Sequence, residues 1–492
     1  MWLAGVGYYV FMLQNKVQLI VYPDSVDGNL AGVAKFIDIY LKDLIGGVHI
    51  LPFYPSSADR GFAPLTHLEV DPAFGTWTDI KQIATQYDLV VDLTVNHVSV
   101  DSEYFQDFLQ KGDASLYRDM FLDIDRVLKR YGVTDEAFAE IYRPRPTLPY
   151  TSFEFADGST RRLWTTFTSQ QIDFDVEAGV TRDLVVSFIN HLAEQGVKLI
   201  RLDAVGYCVK RPHTTSFLIP ETLDYIGWLR QVTPEKIDLL AEIHYGPDKQ
   251  VELLNRSEVE WVYDFSLPLL ILHAIHASNA TNLKHWITIR PYEQITTLDT
   301  HDGIGVVDVE YLMSPKEIEE TTAWVKQNGG NEALRASGEA SGELDVYQIN
   351  CTYYSALGTD DDAYIVARAI QFFVPGIPQV YYVGLLAGTN DLAVFNETKR
   401  GRDVNRHNYT WSEITAAMEQ SVVARLLKLM KFRSSYPAFD GHFFLISSAD
   451  DSLVMKWQRD DLYCQAEINL VTKEVWVEWL EPQSQEIKRE RF

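Results

Sequence analysis

KLIRLDAV (198–205) carries Leu199, Ile200 and Leu202, the pattern of a buried β-strand, yet it also holds Arg201 and Asp203 two residues apart. Alternate side chains on a strand share a face, so the two charges are neighbours while Ile200 and Leu202 point the other way. A guanidinium beside a carboxylate favours the ionised form. It is therefore expected to lower the Asp203 pKa, as suits a nucleophile that must stay deprotonated. On this stretch alone a buried structural ion pair is an equal reading.

Seven further runs have the same strand character: VQLIVYP (17–23), GVHILPF (47–53), LVVDLTVNH (89–97), IDLLAEIH (237–244), VEWVYDF (259–265), QITTLDT (294–300) and IPQVYYV (377–383). Near-continuous apolar strands separated by helical patterns predict a parallel sheet covered on its outer face. Eight such units predict an α/β fold, a closed (β/α)8 TIM barrel. Two connections are too long for crossover helices, and both follow the C-terminal end of a strand, where a barrel carries its functional loops. The first, 98–177, contains IYRPRPTLPY (141–150); the second, 303–358, contains NGGNEALRASGEASGEL (328–344), a composition expected of a mobile lid. The predicted barrel is thus 1–97, 178–302 and 359–438, with two inserted subdomains. After a helical segment near 412–437, SLVMKWQ, LYCQAEINL and KEVWVEWL alternate like strands and predict a small C-terminal antiparallel β domain over 439–492.

The 492 residues include 69 acidic and 43 basic side chains, a net charge of −26, which disfavours nucleic acid and anionic membranes as partners. So acidic a surface also fits a saline habitat. The three cysteines are too few and too scattered for a disulfide framework or a zinc site, which fits a reducing cytoplasm. MWLAGVGYYVFML has neither the basic flank of a signal peptide nor the length of a membrane span, and its first eleven residues are expected to be an upstream-start extension.

Placed on the barrel, the polar residues converge at one rim: Asp92, Asn96 and His97 at the end of strand three, Arg201 and Asp203 on strand four, Glu242 on strand five, and Asp299, His301 and Asp302 after strand seven. Three acids with nearby His and Arg are what glycosyl transfer needs: one attacks, one protonates the departing oxygen, and one stabilises the cationic sugar.

DLTVNH (92–97), IRLDAVGY (200–207), AEIH (241–244) and LDTHDG (298–303), in this order, resemble the four signature regions of the α-amylase superfamily of retaining glycoside hydrolases and transglycosylases; QQIDFD (170–175), with Gln171, resembles its fifth motif. The resemblance implies Asp203 as nucleophile, Glu242 as general acid/base and Asp302 as transition-state stabiliser, with His97, Gln171, Arg201 and His301 as sugar-binding partners.

NKVQLI (15–20), GGVHILPF (46–53), ADRGFAPLTH (58–67), IYRPRP (141–146), LDVYQINCTYYSALG (344–358), PGIPQVYYVGLLAG (375–388) and GRDVNRH (401–407) further resemble the sucrose phosphorylase branch. That resemblance implies Asp59 and Arg402 gripping the distal hydroxyls of glucose, and Phe62 and Tyr207 as apolar walls. Leu344, Asp345, Tyr347 and Gln348, with Arg143 and Arg145, would shape a site used in turn by fructose and phosphate. It also implies no cofactor, and no metal at Asn96, where ordinary amylases often hold calcium. A phosphate approaching so acidic a protein needs a local cationic patch, which independently singles out Arg143 and Arg145, although solvated arginines in a surface turn are the plainer reading.

The expected reaction is therefore glucosyl transfer from sucrose to phosphate by an enzyme acting as a monomer or homodimer. A glucosylglycerol or sugar-phosphate donor, hydrolysis or transglucosylation, and a catalytically silent barrel stand as alternatives.

Overall fold

The protein is described by a computed structural model over residues 13–144, 148–336 and 344–492. The expected N-terminal extension, Arg145 and residues 337–343 of the Gly-rich lid stretch lie outside these residues.

Eight parallel strands close a barrel: β1 (Gln18–Val21), β2 (Gly47–Ile50), β3 (Asp88–Thr94), β4 (Leu199–Asp203), β5 (Asp238–Ala241), β6 (Trp261–Asp264), β7 (Gln294–Thr296) and β8 (Ile377–Tyr381). They pair in chain order, and β8 returns to β1 with Gln18 opposite Gln379. All eight predicted strands are present. Each is shorter than its apolar run, because the run continues into the buried loop that leaves the strand.

The register explains the opening stretch. Asp92 lies opposite Arg201, and Thr94 opposite Asp203. Alternation sends Leu199, Arg201 and Asp203 to the barrel interior. The lower interior is apolar, with Val90, Leu199, Leu240, Trp261, Ile295 and Ile377 in one buried cluster. One layer up the same strands turn polar, with Asp92, Arg201 and Tyr263 all buried. Stacking inward side chains in layers is how such a barrel fills itself, and here the upper layers are given over to charge.

The first insertion builds helices Glu103–Lys111 and Ile124–Tyr131, a hairpin of Tyr150–Glu154 with Thr160–Trp164, and a pairing of His97–Ser99 with Gln171–Asp173. The second builds helix Pro315–Gln327 and a three-stranded sheet in which Leu344–Asn350 lies between Ile304–Gly305 and Asn331–Ala336. At the C-terminus five strands form an antiparallel sheet: β9 (His442–Ile446), β10 (Ser452–Arg459), β11 (Leu462–Asn469), β12 (Glu474–Leu480) and β13 (Ile487–Arg491). The sequence reading finds the middle three. The outer two escape it because β9 keeps Phe444 and Ile446 exposed and β13 is mostly charged, so neither shows a clean buried alternation.

Candidate active site

Arg201 sits at the centre of the upper barrel with 3% of its side chain accessible. Its Nη1 donates to Asp92 at 2.5 Å and to Asp203 at 2.8 Å, and its Nη2 lies 3.9 Å from Glu242. Asp92 is fully buried and also meets His49 at 2.8 Å. Burial alone would raise Asp92, but Arg201 and His49 outweigh it and bring it to about 2. Asp203, Glu242 and Asp302 each keep 12% of the side chain accessible. Three partly accessible carboxyl groups thus rise from one buried shell.

The chain turns sharply after Asp203. Ala204 takes a left-handed conformation (φ 53°), and its N–H donates to Glu242 Oε2 at 2.9 Å. Held left-handed conformations of this kind in non-glycine residues cost about 1 to 3 kcal/mol and gather at functional sites.

The expectation that Arg201 lowers Asp203 is not met: Asp203 is raised to about 8. Burial is the largest cause, and Glu242 and Asp92 add like charge. Arg201 opposes both, but its charge is divided among three carboxylates. Asp302 behaves oppositely. Arg402 meets it at 2.7 Å and Arg406 at 3.9 Å, and these guanidinium groups overcome its burial and hold it far below the ordinary carboxylate range.

Around Asp302 the motifs assemble as a wall. Asn405 Nδ2 donates to Thr300 O at 2.8 Å and Arg406 Nε to His301 O at 2.9 Å, which ties 401–407 onto the loop after β7. The His301 ring stacks on Phe62, centroids 4.7 Å apart and 4° from parallel; burial pushes its pKa well down and keeps it neutral. Asp59 lies 3.7 Å from Arg406 and, like Arg60, has φ near +50°. Arg60 holds that conformation by donating to Arg406 O (2.7 Å) and Asp24 (2.9 Å) while covering the Tyr22 ring.

On the other side, His97 Nε2 lies 2.8 Å from Phe62 O, which also accepts from Gln171 Nε2 at 2.9 Å. Tyr207 packs on Phe217 at 4.6 Å, Phe167 at 5.2 Å and Tyr142 at 6.0 Å. Arg143 lines a cleft with Tyr142, Tyr207 and Lys210. Tyr347 and Gln348 come from strand Leu344–Asn350, where Leu344 and Asp345 are described by their backbone. The structure thus brings the described residues among the sequence candidates to one rim, except Asp299, which is buried against Arg368 at 2.7 Å.

Residues 14–301 match the family described as alpha amylase, catalytic domain. The sucrose 6(F)-phosphate phosphorylase of Thermoanaerobacterium thermosaccharolyticum is 44% identical over 486 residues, covering 97% of this chain and 99% of that protein. The glucosylglycerol phosphorylase of Marinobacter adhaerens is 43% identical, covering 97% and 99%. The sucrose phosphorylase of Bifidobacterium adolescentis is 42% identical, covering 91% and 90%. The chain belongs to the α-amylase family. Within that family it groups with these phosphorylases, and the crystal structure of sucrose 6F-phosphate phosphorylase from Thermoanaerobacter thermosaccharolyticum superposes on 99% of it, and on 100% of its own chain, at a TM-score of 0.94 and 42% identity.

Lys210, Arg406, His244 and Asp308, none of them a sequence candidate, also contact this constellation. At Asn96, the Lys210 ammonium meets Asn96 Oδ1 at 3.0 Å and Asp173 at 2.7 Å and also bonds Tyr207 O, so a cation of the protein's own already serves these oxygens. Lys210 lies seven positions beyond Asp203, past the end of β4, where alternation no longer predicts direction. Arg406 stands inside the quoted GRDVNRH, but nothing there separates it from Arg402. His244 follows Glu242 by two residues and so could have been placed on its face by alternation alone. Asp308, which pairs with it, left no signal, because it comes from the second insertion.

Proposed function

We propose that this enzyme transfers a glucosyl group from sucrose to phosphate with retention, releasing fructose and α-glucose 1-phosphate. The carrying observation is the buried Arg201 centre, where Asp203 and Glu242 share one guanidinium while Asp302 is kept ionised by its own arginines. Burial, with the neighbouring carboxylates Glu242 and Asp92, holds Asp203 above the ordinary carboxylate range. Arg201 donates directly to Asp203 and only approaches Glu242, so the reactive arrangement has Asp203 ionised and the proton on Glu242.

The glucose ring enters between Phe62 and Tyr207, its distal hydroxyls on Asp59 and Arg402, with His97, Gln171 and His301 along its edge. Asp203 attacks the anomeric carbon while Glu242 gives its proton to the leaving fructosyl oxygen, and the bond to fructose breaks. Asp302 stabilises the positive charge that develops on the ring. Phosphate then attacks from the face that fructose left, the ester electrons return to Asp203, and the phosphate's proton restores Glu242. Two inversions retain the α configuration.

Tyr142, Tyr207, Tyr347 and Gln348 would receive the ketose, and Arg143, which lines the cleft beside Tyr142 and Tyr207, would draw in phosphate. Phosphorylase relatives of this chain lend weight to the reaction class.

The test is phosphate-dependent release of α-glucose 1-phosphate from sucrose, sucrose 6(F)-phosphate and glucosylglycerol in parallel, with a phosphate-free control. Sucrose as the best donor is the expected result. Preference for either of the others would retain the mechanism and replace the acceptor. Glucose released equally fast without phosphate would make the enzyme a hydrolase.

A further inference from the structure

His49 points into the polar layer of the barrel, beneath the carboxylates of the site. It stands on β2 opposite Val90, and the period of two turns it inward beside Asp92 of β3. Only 1% of its side chain is accessible. Its Nε2 lies 2.8 Å from Asp92 Oδ2, and its buried Nδ1 has no hydrogen-bond partner among the described residues. A carboxylate can only accept, so the proton belongs on Nε2 and the lone pair on Nδ1; an imidazolium would leave a buried Nδ1–H unserved.

Four side chains from three strands form one line of contacts. His49 Nε2 donates to Asp92 Oδ2, while Arg201 Nη1 donates to Asp92 Oδ1 at 2.5 Å and to Asp203 Oδ1 at 2.8 Å. Asp92 is held from its backbone as well, where its O accepts from the Tyr54 hydroxyl at 3.1 Å. Asp92 and Asp203 thus compete for one Nη1, and His49 supplies the far oxygen of Asp92 with a donor that Arg201 need not supply. The groups facing this line are Tyr54 after β2, Glu242 beyond β5, Tyr263 on β6 and His301 after β7. Arg201 is the one permanent cation among them, so its division between two aspartates decides how well Asp203 is kept ionised.

We propose that His49 is a positioning residue for the nucleophile: by donating to the far oxygen of Asp92, it leaves the Arg201 guanidinium turned toward Asp203. The inference rests on Asp203 being the nucleophile. Without that N–H, Asp92 stays ionised beside Arg201 but lacks a donor on Oδ2, and it draws the guanidinium toward itself. Asp203 then loses its guanidinium contact while Asp92 and Glu242 still repel its charge.

The experiment uses α-glucosyl fluoride, whose leaving group needs no acid, and follows fluoride release against pH. The acid limb of kcat/KM then reads the ionisation of the nucleophile rather than of Glu242. His49→Asn, whose amide is too short to reach Asp92, is expected to move that limb up by about one pH unit, a loss of about tenfold on the acid side that fades on the alkaline side. His49→Gln carries an amide N–H at the reach of Nε2 and should restore the limb. A histidine that merely filled space would lower the rate at every pH alike and would not distinguish the two amides. An acid limb that stays in place or moves down in folded His49→Asn, with folding read by thermal melting, overturns the inference. Should His49→Asn fail to fold, nitrogen NMR of the histidine-labelled native enzyme decides: the ring signals absent from His49→Gln are expected to show the proton on Nε2, and a proton on Nδ1 overturns the inference. The reading beneath is tested apart: if Asp203→Asn keeps its fluoride release, Asp203 is not the nucleophile and this inference falls with it.

Discussion

Asp203 is kept from water by the same shell that makes it useful, and the consequence is measurable. Its folded pKa of about 8 lies above that of an exposed aspartate. The folded protein therefore binds a proton that the unfolded chain has released, and ionising Asp203 costs stability from about pH 4 upward, with the full cost reached above about pH 8. Asp203→Asn is expected to abolish turnover yet melt higher than the native enzyme at pH 8, with the gain shrinking toward pH 4; a calorimetric pH series reads this, and equal melting at every pH would contradict it. Glu242 separates the two half-reactions. Glu242→Gln should slow sucrose cleavage by about 10²- to 10⁴-fold but glucosyl fluoride turnover far less, because only the first needs a proton at the leaving oxygen. Equal losses on both donors would remove Glu242 from the acid role.

The loop Asp59–Gly61 shows how an element carries function at the expense of local comfort. Asp59 and Arg60 both lie near φ +50° and Gly61 at +106°. A Cβ on Gly61 would meet Pro52 Cβ at 2.6 Å and Pro52 O at 2.7 Å. Gly61→Ala is expected to cost about 1 to 3 kcal/mol of stability and to raise the sucrose KM by displacing Asp59 and Phe62; urea unfolding and steady-state kinetics check the two parts separately. A similar close approach fixes the frame of the loop after β7. Gly384 has no side chain because Asp299 Oδ2 would lie 1.9 Å and Arg368 Nη2 2.2 Å from its Cβ. Asp299, one of the rim acids in the sequence, is thereby committed to Arg368 at 2.7 Å, buried away from the cavity.

Over the whole molecule, the net charge of −26 means that like-charge repulsion opposes the compact state. Salt screens such repulsion, with a Debye length falling from about 30 Å at 0.01 M to about 10 Å at 0.1 M. The melting temperature is expected to rise as sodium chloride goes from low to moderate concentration at pH 7. A flat or falling profile would mean that the surface carboxylates are already neutralised by their local ion pairs. No helix among the described residues is long and apolar enough to cross a membrane, and the C-terminal sheet packs Trp457 against the barrel helix Asp361–Phe373, its Nε1 donating to Phe373 O at 2.7 Å.

The barrel was legible in the sequence because it rests on local regularity, and the three carboxylates because they stand in motifs at the ends of its strands. Eight apolar runs at strand length announce β1 to β8, and a period of two places Arg201 with Asp203 on one face whatever the surroundings. What the tertiary structure alone decided is the charge each group carries. The pair LIRLD predicts a lowered Asp203, and the fold raises it, because Asp92 arrives from the neighbouring strand and Glu242 from the next to claim the same guanidinium. Asp308 reaches His244 from 64 residues away, and Arg406 reaches Asp302 from more than a hundred. Electrostatic energy depends on distance and burial in space, and neither is a property of neighbours along the chain.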